Sequence, residues 1–225
     1  MAEFTITLGN KNYSSWSLRG WLALKQTGTP FEEAVVPLDR PDSRERILAA
    51  GPSGRVPVLR HGALTVWDSL AIGEYLAERF PESGLWPEDE AARAVARAVT
   101  AEMHAGFAAL RTHMPMDLRG RHPGLGRGPG VAEDVARIVA IWQDCRARFG
   151  RGGDFLFGGF TLADAAFAPV ATRFATYDVA LEGPAAAYRD AVLAWPALQE
   201  WSAAARAEPW VIEFPERQAP GPARR

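Results

Sequence analysis

The stretch NKNYSSWSLRGWLALK, residues 10–25, decides how the chain begins to fold. It is entered from FTITL, residues 4–8, where Phe4, Ile6 and Leu8 alternate with Thr5 and Thr7. Period-two alternation predicts a half-buried strand. From Leu18 onward the period changes, and Leu18, Trp21, Leu22 and Leu24 follow helical spacing, with Gly28 and Pro30 as the stop. Ser14 and Ser15 therefore stand where a strand hands over to a helix. Serine at that place caps a helix, its hydroxyl oxygen accepting an otherwise unpaired N–H of the first turn. The same place suits a second role. A helix N-terminus carries partial positive charge and free N–H donors, and a hydroxyl beside it can donate to a bound thiolate. Lowering a thiol pKa by one unit takes about 1.4 kcal/mol of preference for the thiolate. One charge-assisted hydrogen bond, at roughly 1.5–3 kcal/mol, supplies about one to two units.

Outward from this stretch, AVVPL, residues 34–38, predicts a second strand, and SRERILAA, residues 43–50, a short helix closed by Gly51-Pro52. VPVLRH and ALTVWD around His61-Gly62 predict a hairpin. Ile72, Tyr75 and Leu76 then repeat at helical spacing and predict a helix over 70–80, stopped by Pro81. The order β-α-β-α-β-β-α describes a compact α/β domain. Beyond ESGLWPEDE, residues 82–90, no strand pattern follows. Val95, Val99, Met103 and Leu110 predict one long helix, and Val131 through Phe149 another, with the Gly- and Pro-rich 114–130 as a loop between them. Thr161 and Pro196 open further helices. The expected division is an α/β domain over 1–82, a linker over 83–90, an all-helical domain over 91–214 and a disordered tail over 215–225.

Composition narrows the function. The 225 residues are 48% hydrophobic with a net charge of −2, ordinary for a soluble globular chain and without a nucleic-acid footprint. No apolar run approaches the roughly 20 residues that span a bilayer. MAEFTITL lacks the basic start of a signal peptide. The single cysteine, Cys145, forms no internal disulfide framework and fits a reducing, cytoplasmic setting. It lies on an apolar helix face and is expected to pack there. The four histidines lack metal-ligand spacing, so no metal is expected. Gly124, Gly126 and Gly128 follow no strand and do not form a dinucleotide loop.

Three further motifs have a structural and a functional reading. Val56-Pro57 opens a strand, where proline is tolerated; a cis bond there would instead turn the backbone of Val56 toward an extended ligand. Asp68-Ser69 caps the helix over 70–80, and it also offers a carboxylate, a hydroxyl and free N–H groups to an amino-acid head group. His104, Phe107 and Arg111 share a helical face by the i, i+3, i+7 rule, which is either solvated or the lining of a cleft against the first domain. Thr161 and Asp164 have capping-box spacing and read as structural.

The order of these motifs carries more than any one of them. A serine at the first strand–helix turn, then GRVPVL, then DSLAIGEYL, then a helical domain with TLAD and a proline five residues later, resembles the cytosolic glutathione S-transferase superfamily. SSWSLR is similar to the N-terminal motif of its serine-type zeta and tau classes. The resemblance covers the chain to about residue 212. It implies a thioredoxin-like N-terminal domain, an all-α C-terminal domain, glutathione as cosubstrate and a homodimer. It implies Ser14, with Ser15 as the alternative, as thiolate partner, and Val56 and cis-Pro57 as the site of the cysteinyl backbone. Asp68 and Ser69 would hold the γ-glutamyl end, and Arg55 would lie near the glycyl carboxylate. Met103, His104, Phe107, Arg111 and Met114 are the expected electrophile pocket. Trp16 stands where the zeta pattern has cysteine. The implied activity is activation of the glutathione thiolate for attack on a small hydrophobic electrophile. The alternatives are a glutathione-dependent isomerase of the maleylacetoacetate type and a non-catalytic glutathione-binding or scaffold protein.

Overall fold

The computed structural model describes residues 3–213, so the expected tail over 215–225 lies outside the described residues. Strand β1 (Phe4–Leu8) leads into helix α1 (Ser15–Gln26), followed by β2 (Phe31–Val35), α2 (Ser43–Ala50), β3 (Val58–His61), β4 (Leu64–Val66) and α3 (Ser69–Arg79). The four strands form one sheet in the order β2-β1-β3-β4. β1 runs parallel to β2 and antiparallel to β3. This mixed sheet with its flanking helices is a thioredoxin-like domain. Strand β2 lies three residues earlier than 34–38. It is an edge strand whose Glu32, Glu33 and Ala34 are exposed, so no buried alternation marks it. Glu33 is held all the same, by the Trp21 indole N–H at 2.5 Å and by the Lys11 ammonium.

The rest is helical. α4 (Glu90–Ala105), α5 (Ala108–His113), α6 (Val131–Phe149), α7 (Leu162–Thr176), α8 (Gly183–Ala194) and α9 (Pro196–Ala207) follow in order. Two isolated bridges, Phe155 with Gly158 and Phe157 with Gly159, are the only strand-type pairings after β4 among the described residues. The expected single helix running to Leu110 is two helices. At Gly106 an added Cβ would lie 2.9 Å from the Glu102 carbonyl oxygen, and Phe107 then turns left-handed at φ 62°. The close approach leaves no room for a side chain at Gly106, whereas the hydrophobic spacing carries no sign of the break.

One apolar cluster joins Ile6, Leu18, Leu22, Ile72 and Leu76 to Phe167, Phe174 and Trp201, so α1 is shared between the sheet and the helical layer. Two glycines set the approach. A Cβ at Gly73 would meet Leu162 at 2.9 Å, and one at Gly20 would meet Pro57 at 2.8 Å. Gly20→Ala is expected to overpack the α1–Pro57 contact by about 1–3 kcal/mol, partly offset by better helix propensity. The net expected result is a lower thermal midpoint, read by circular dichroism.

At the start of α7, Thr161 and Asp164 form the expected capping box. The fully buried Asp164 carboxylate accepts from Thr161 N–H at 2.8 Å, Thr161 Oγ1–H at 2.9 Å, Leu156 N–H at 3.1 Å and Tyr188 O–H at 3.0 Å. Burial raises its pKa to about 6 against the opposing pull of these hydrogen bonds. Cys145 is buried in the helical core, and burial pushes its thiol up to about 12. No helix among the described residues is long and apolar enough to cross a membrane.

Candidate functional site

Helix α1 begins after the C-terminal end of β1, and the loop before it is tied down by residues distant in sequence. Asn12 is fully buried. Its side chain donates to Asp117 Oδ1 at 2.8 Å and accepts from Arg119 N–H at 2.9 Å. The backbone N–H groups of Lys11 and Asn12 donate to the Glu208 carboxylate at 2.7 and 3.1 Å. The chain therefore delivers Ser14 at a fixed place. Nothing in the periodicity of the sequence singles out Asn12, because a loop residue gives no repeat to read.

Ser14 is the N-cap of α1 and Ser15 its first residue. Ser14 Oγ accepts from Ser17 N–H at 3.3 Å and is hydrogen-bonded to Ser17 Oγ at 2.8 Å. Ser17 Oγ in turn accepts from Gly9 N–H at 2.9 Å. The Ser15 hydroxyl has no hydrogen-bond partner among the described residues. Both Ser14 and Ser15 line an open cleft of about 1840 Å³, measured with its mouth.

The other wall of the cleft comes from the segment entering β3 and from the start of α3. Arg55, Val56, Pro57, Asp68 and Ser69 all line it, so the structure brings together every residue expected at the glutathione end. The Val56–Pro57 and Trp67–Asp68 peptides are both cis. Asp68 caps α3, accepting from Leu70 N–H at 2.8 Å. Its second oxygen is 3.3 Å from His104 Nε2, which links the cap to α4. Ser69 is buried at 7% exposure, and Arg55 is exposed.

The expected electrophile pocket is rearranged by the break after α4. Among its five residues, the structure brings only His104 to the cleft wall. Met103 and Met114 are fully buried and Phe107 is nearly so, all within the helical core. Arg111 turns back on α4, with Nε donating to Gly106 O at 3.0 Å and Nη2 to Met103 O. It thus satisfies carbonyls left open at a helix C-terminus. The i, i+3, i+7 face assumed a continuous helix, and the Gly106 turn removes it. Trp16 takes much of the place these residues were expected to fill. Its ring lines the cleft, meets His104 edge-on at 5.0 Å between centroids, and carries Arg19 at 4.5 Å and Arg111 at 4.8 Å from its centroid. No group of three His, Cys, Asp or Glu residues able to hold a metal occurs among the described residues.

A thioredoxin-like domain with a helix N-terminus facing a cis-proline edge, closed on one side by an all-helical domain, defines the class of protein. A family model for the glutathione S-transferase N-terminal domain matches residues 13–79, and one for the C-terminal domain matches 93–204. Glutathione S-transferase GstB of Escherichia coli K12 is 31% identical over 147 residues, which are 64% of this chain and 67% of that protein. A probable maleylacetoacetate isomerase of Caenorhabditis elegans is 28% identical over 167 residues, 71% of this chain and 75% of that protein. Against Glutathione S-transferase 1 of Dianthus caryophyllus the chain is 42% identical but matches only 82 residues, about a third of either protein (36% of each). Among solved structures, a glutathione transferase homologue from Burkholderia gl BGR1 with bound glutathione has a TM-score of 0.67 at 23% identity, covering 92% of this chain and 99% of that one. That likeness establishes the fold. The chain belongs to the glutathione S-transferase family.

Proposed function

We propose that the protein binds glutathione along the cleft and ionises its thiol for attack on a small hydrophobic electrophile. The observation that carries this reading is the convergence, on one cleft, of the α1 N-terminus with Ser14 and Ser15, the Val56–Pro57 edge and the Asp68–Ser69 cap. The cysteinyl backbone would pair with Val56 as an added strand does. The γ-glutamyl end would meet the Asp68 carboxylate and the Ser69 hydroxyl. The thiolate would then lie at the start of α1, where the helix dipole favours negative charge.

The serine network can free a hydrogen on Ser14. Ser14 Oγ–H donates to Ser17 Oγ at 2.8 Å, and Ser17 Oγ also accepts from Gly9 N–H; with a thiolate bound, both hydroxyls would rotate so that Ser17 Oγ–H donates to Ser14. The Ser14 hydrogen then turns to the thiolate, at the end of a chain of mutually polarising bonds. Ser15, next in the helix, is the second donor available. Tyr13, Trp16, Trp67 and His104 also line the cleft and would receive the electrophile on aromatic surface.

The test is calorimetry with glutathione, followed by turnover of 1-chloro-2,4-dinitrobenzene. Binding with one glutathione consumed per product is the expected result. Turnover of an unsaturated diketo acid without loss of glutathione would favour the isomerase reading, for which the C. elegans relative is the supporting observation. Absence of binding at millimolar glutathione would remove both readings.

A further inference from the structure

A second open space, of about 660 Å³ measured with its mouth, lies in the helical domain, and its lining includes Arg121, Thr172, Thr176, Ser202 and Arg206. It shares no lining residue with the cleft. Its charge is one-sided. Two arginines line it and no Asp, Glu, Lys or His does, in a chain whose 27 acidic residues outnumber its 25 lysines and arginines. Arg206 stands in the last turn of α9, and Arg121 in the connection between α5 and α6. Neither has an ion pair or a hydrogen bond among the described residues. A cation in a last turn answers the helix dipole, which accounts for Arg206 but not for Arg121. The backbone around Arg121 is pinned: Arg119 N–H donates to Asn12 Oδ1 at 2.9 Å, Gly120 N–H to the Asp117 carbonyl at 3.3 Å and His122 N–H to the Thr176 carbonyl at 2.7 Å. Arg121 therefore springs from a fixed backbone, and a ligand need not order the loop to reach it. Ser202 is 9% exposed, and its hydroxyl has no partner among the described residues. Thr172 and Thr176 commit their hydroxyl hydrogens to the carbonyls of Pro169 and Asp117, at 2.8 and 3.0 Å. The side-chain donors left to a ligand are the two guanidinium groups, the Ser202 hydroxyl and one N–H of the Gln199 amide, whose other N–H goes to the Leu193 carbonyl.

We propose that this space binds a small organic oxyanion, a phosphate monoester or a carboxylate, with its head group on Arg121 and Arg206 and its body against Leu118 and Leu193. A guanidinium fork matches the paired oxygens of either head group. A cation would meet two like charges and no acid. A purely apolar ligand would desolvate two guanidinium groups and a hydroxyl without pairing them. The volume suits a molecule of one ring or a short chain. The site is separate from the cleft and does not depend on the glutathione reading.

Phenyl phosphate and benzoate are the probes, and phenol is the neutral control. Calorimetry is run on the whole chain at constant ionic strength, because salt screens exposed charges. No glutathione is present, so a failure of the cleft reading leaves this result untouched. Wild type is expected to bind at least one of the two anions at millimolar concentration, and at least tenfold more tightly than phenol. The anion bound more tightly identifies the head group. Arg121→Gln and Arg206→Gln are each expected to weaken that anion about tenfold, the worth of one charge-assisted hydrogen bond. Both side chains are exposed, and circular dichroism is expected to show the wild-type fold for both variants. Arg60→Gln removes the same charge from the exposed side of β3, outside the space, and is expected to leave binding unchanged. Wild type that binds neither anion more tightly than phenol overturns the proposal. So do Arg121→Gln and Arg206→Gln variants that both bind as wild type does. An equal loss in Arg60→Gln also overturns it, because the attraction is then one of net charge alone.

Discussion

Asp164→Ala is expected to lower the thermal midpoint by roughly 10 °C. The carboxylate accepts four hydrogen bonds inside a fully buried site. Removing it strands the N–H groups of Leu156 and Thr161 and the hydroxyls of Thr161 and Tyr188, each at about 1 kcal/mol, so the loss is about 4 kcal/mol. A chain of this size loses about 2–4 °C per kcal/mol. The partners come from the turn before α7, from the α7 cap and from α8, so the effect is global rather than a fraying of one helix end. Asp164→Asn keeps the shape but offers an amide NH₂ to groups that are themselves donors, and roughly half of the loss is expected. Thermal unfolding of both variants checks the order. A midpoint for Asp164→Ala within about 3 °C of wild type would show that the network contributes little.

The second large effect falls on the thiol. Ser14→Ala is expected to raise the pKa of bound glutathione by about one to two units, the worth of one charge-assisted hydrogen bond. Below that pKa each unit costs about tenfold in thiolate, so kcat/KM near neutral pH falls by about 10–100-fold. The deficit closes as pH rises past the new pKa, which separates a thiolate donor from a residue that merely shapes the site. Ser17→Ala is expected to shift the pKa in the same direction but less, because Ser14 keeps its hydroxyl and loses only the bond that orients it. Ultraviolet absorbance of the bound thiolate against pH reads both shifts. An unchanged pKa in Ser14→Ala together with a raised one in Ser15→Ala moves the role to Ser15, the other serine of the cleft. Ser14→Ala also loses an N-cap, at about 1 kcal/mol, so the thiol pKa is the cleaner readout.

The first domain was legible because its elements announce themselves locally. FTITL alternates, SRERILAA ends at Gly51-Pro52, and the hairpin turns at Gly62, which has φ 58°. Strand β2 was displaced because an edge strand of exposed Glu32 and Glu33 has no face to reveal. Helix α8 left little trace for the opposite reason: GPAAAYRDAVLA buries Ala185, Tyr188 and Val192 with too few large side chains to show a period. The residues proposed for the glutathione end stand in short motifs at caps and a strand start, and they line one cleft. The helical wall was not legible, because Met103 and Met114 look the same in sequence whether they face a cleft or a core, and one glycine after α4 decides which. Arg19 passed unremarked, since arginine on a helix is ordinarily solvated. Only the packing of α3, α4 and α7 around it leaves it without a partner.

The clamp on the loop before α1 also orders events in time. Chains emerging from the ribosome fold N-terminal domain first, and β1 can find β2 and β3 within the first 61 residues. The backbone N–H of Asn12, two residues before Ser14, must wait for Glu208, 196 residues further along. Arg119 likewise donates to the carbonyls of Glu208 and Trp210. A nascent chain can therefore own a finished sheet and still lack a fixed start to α1, which is completed only once the segment after α9 has been made.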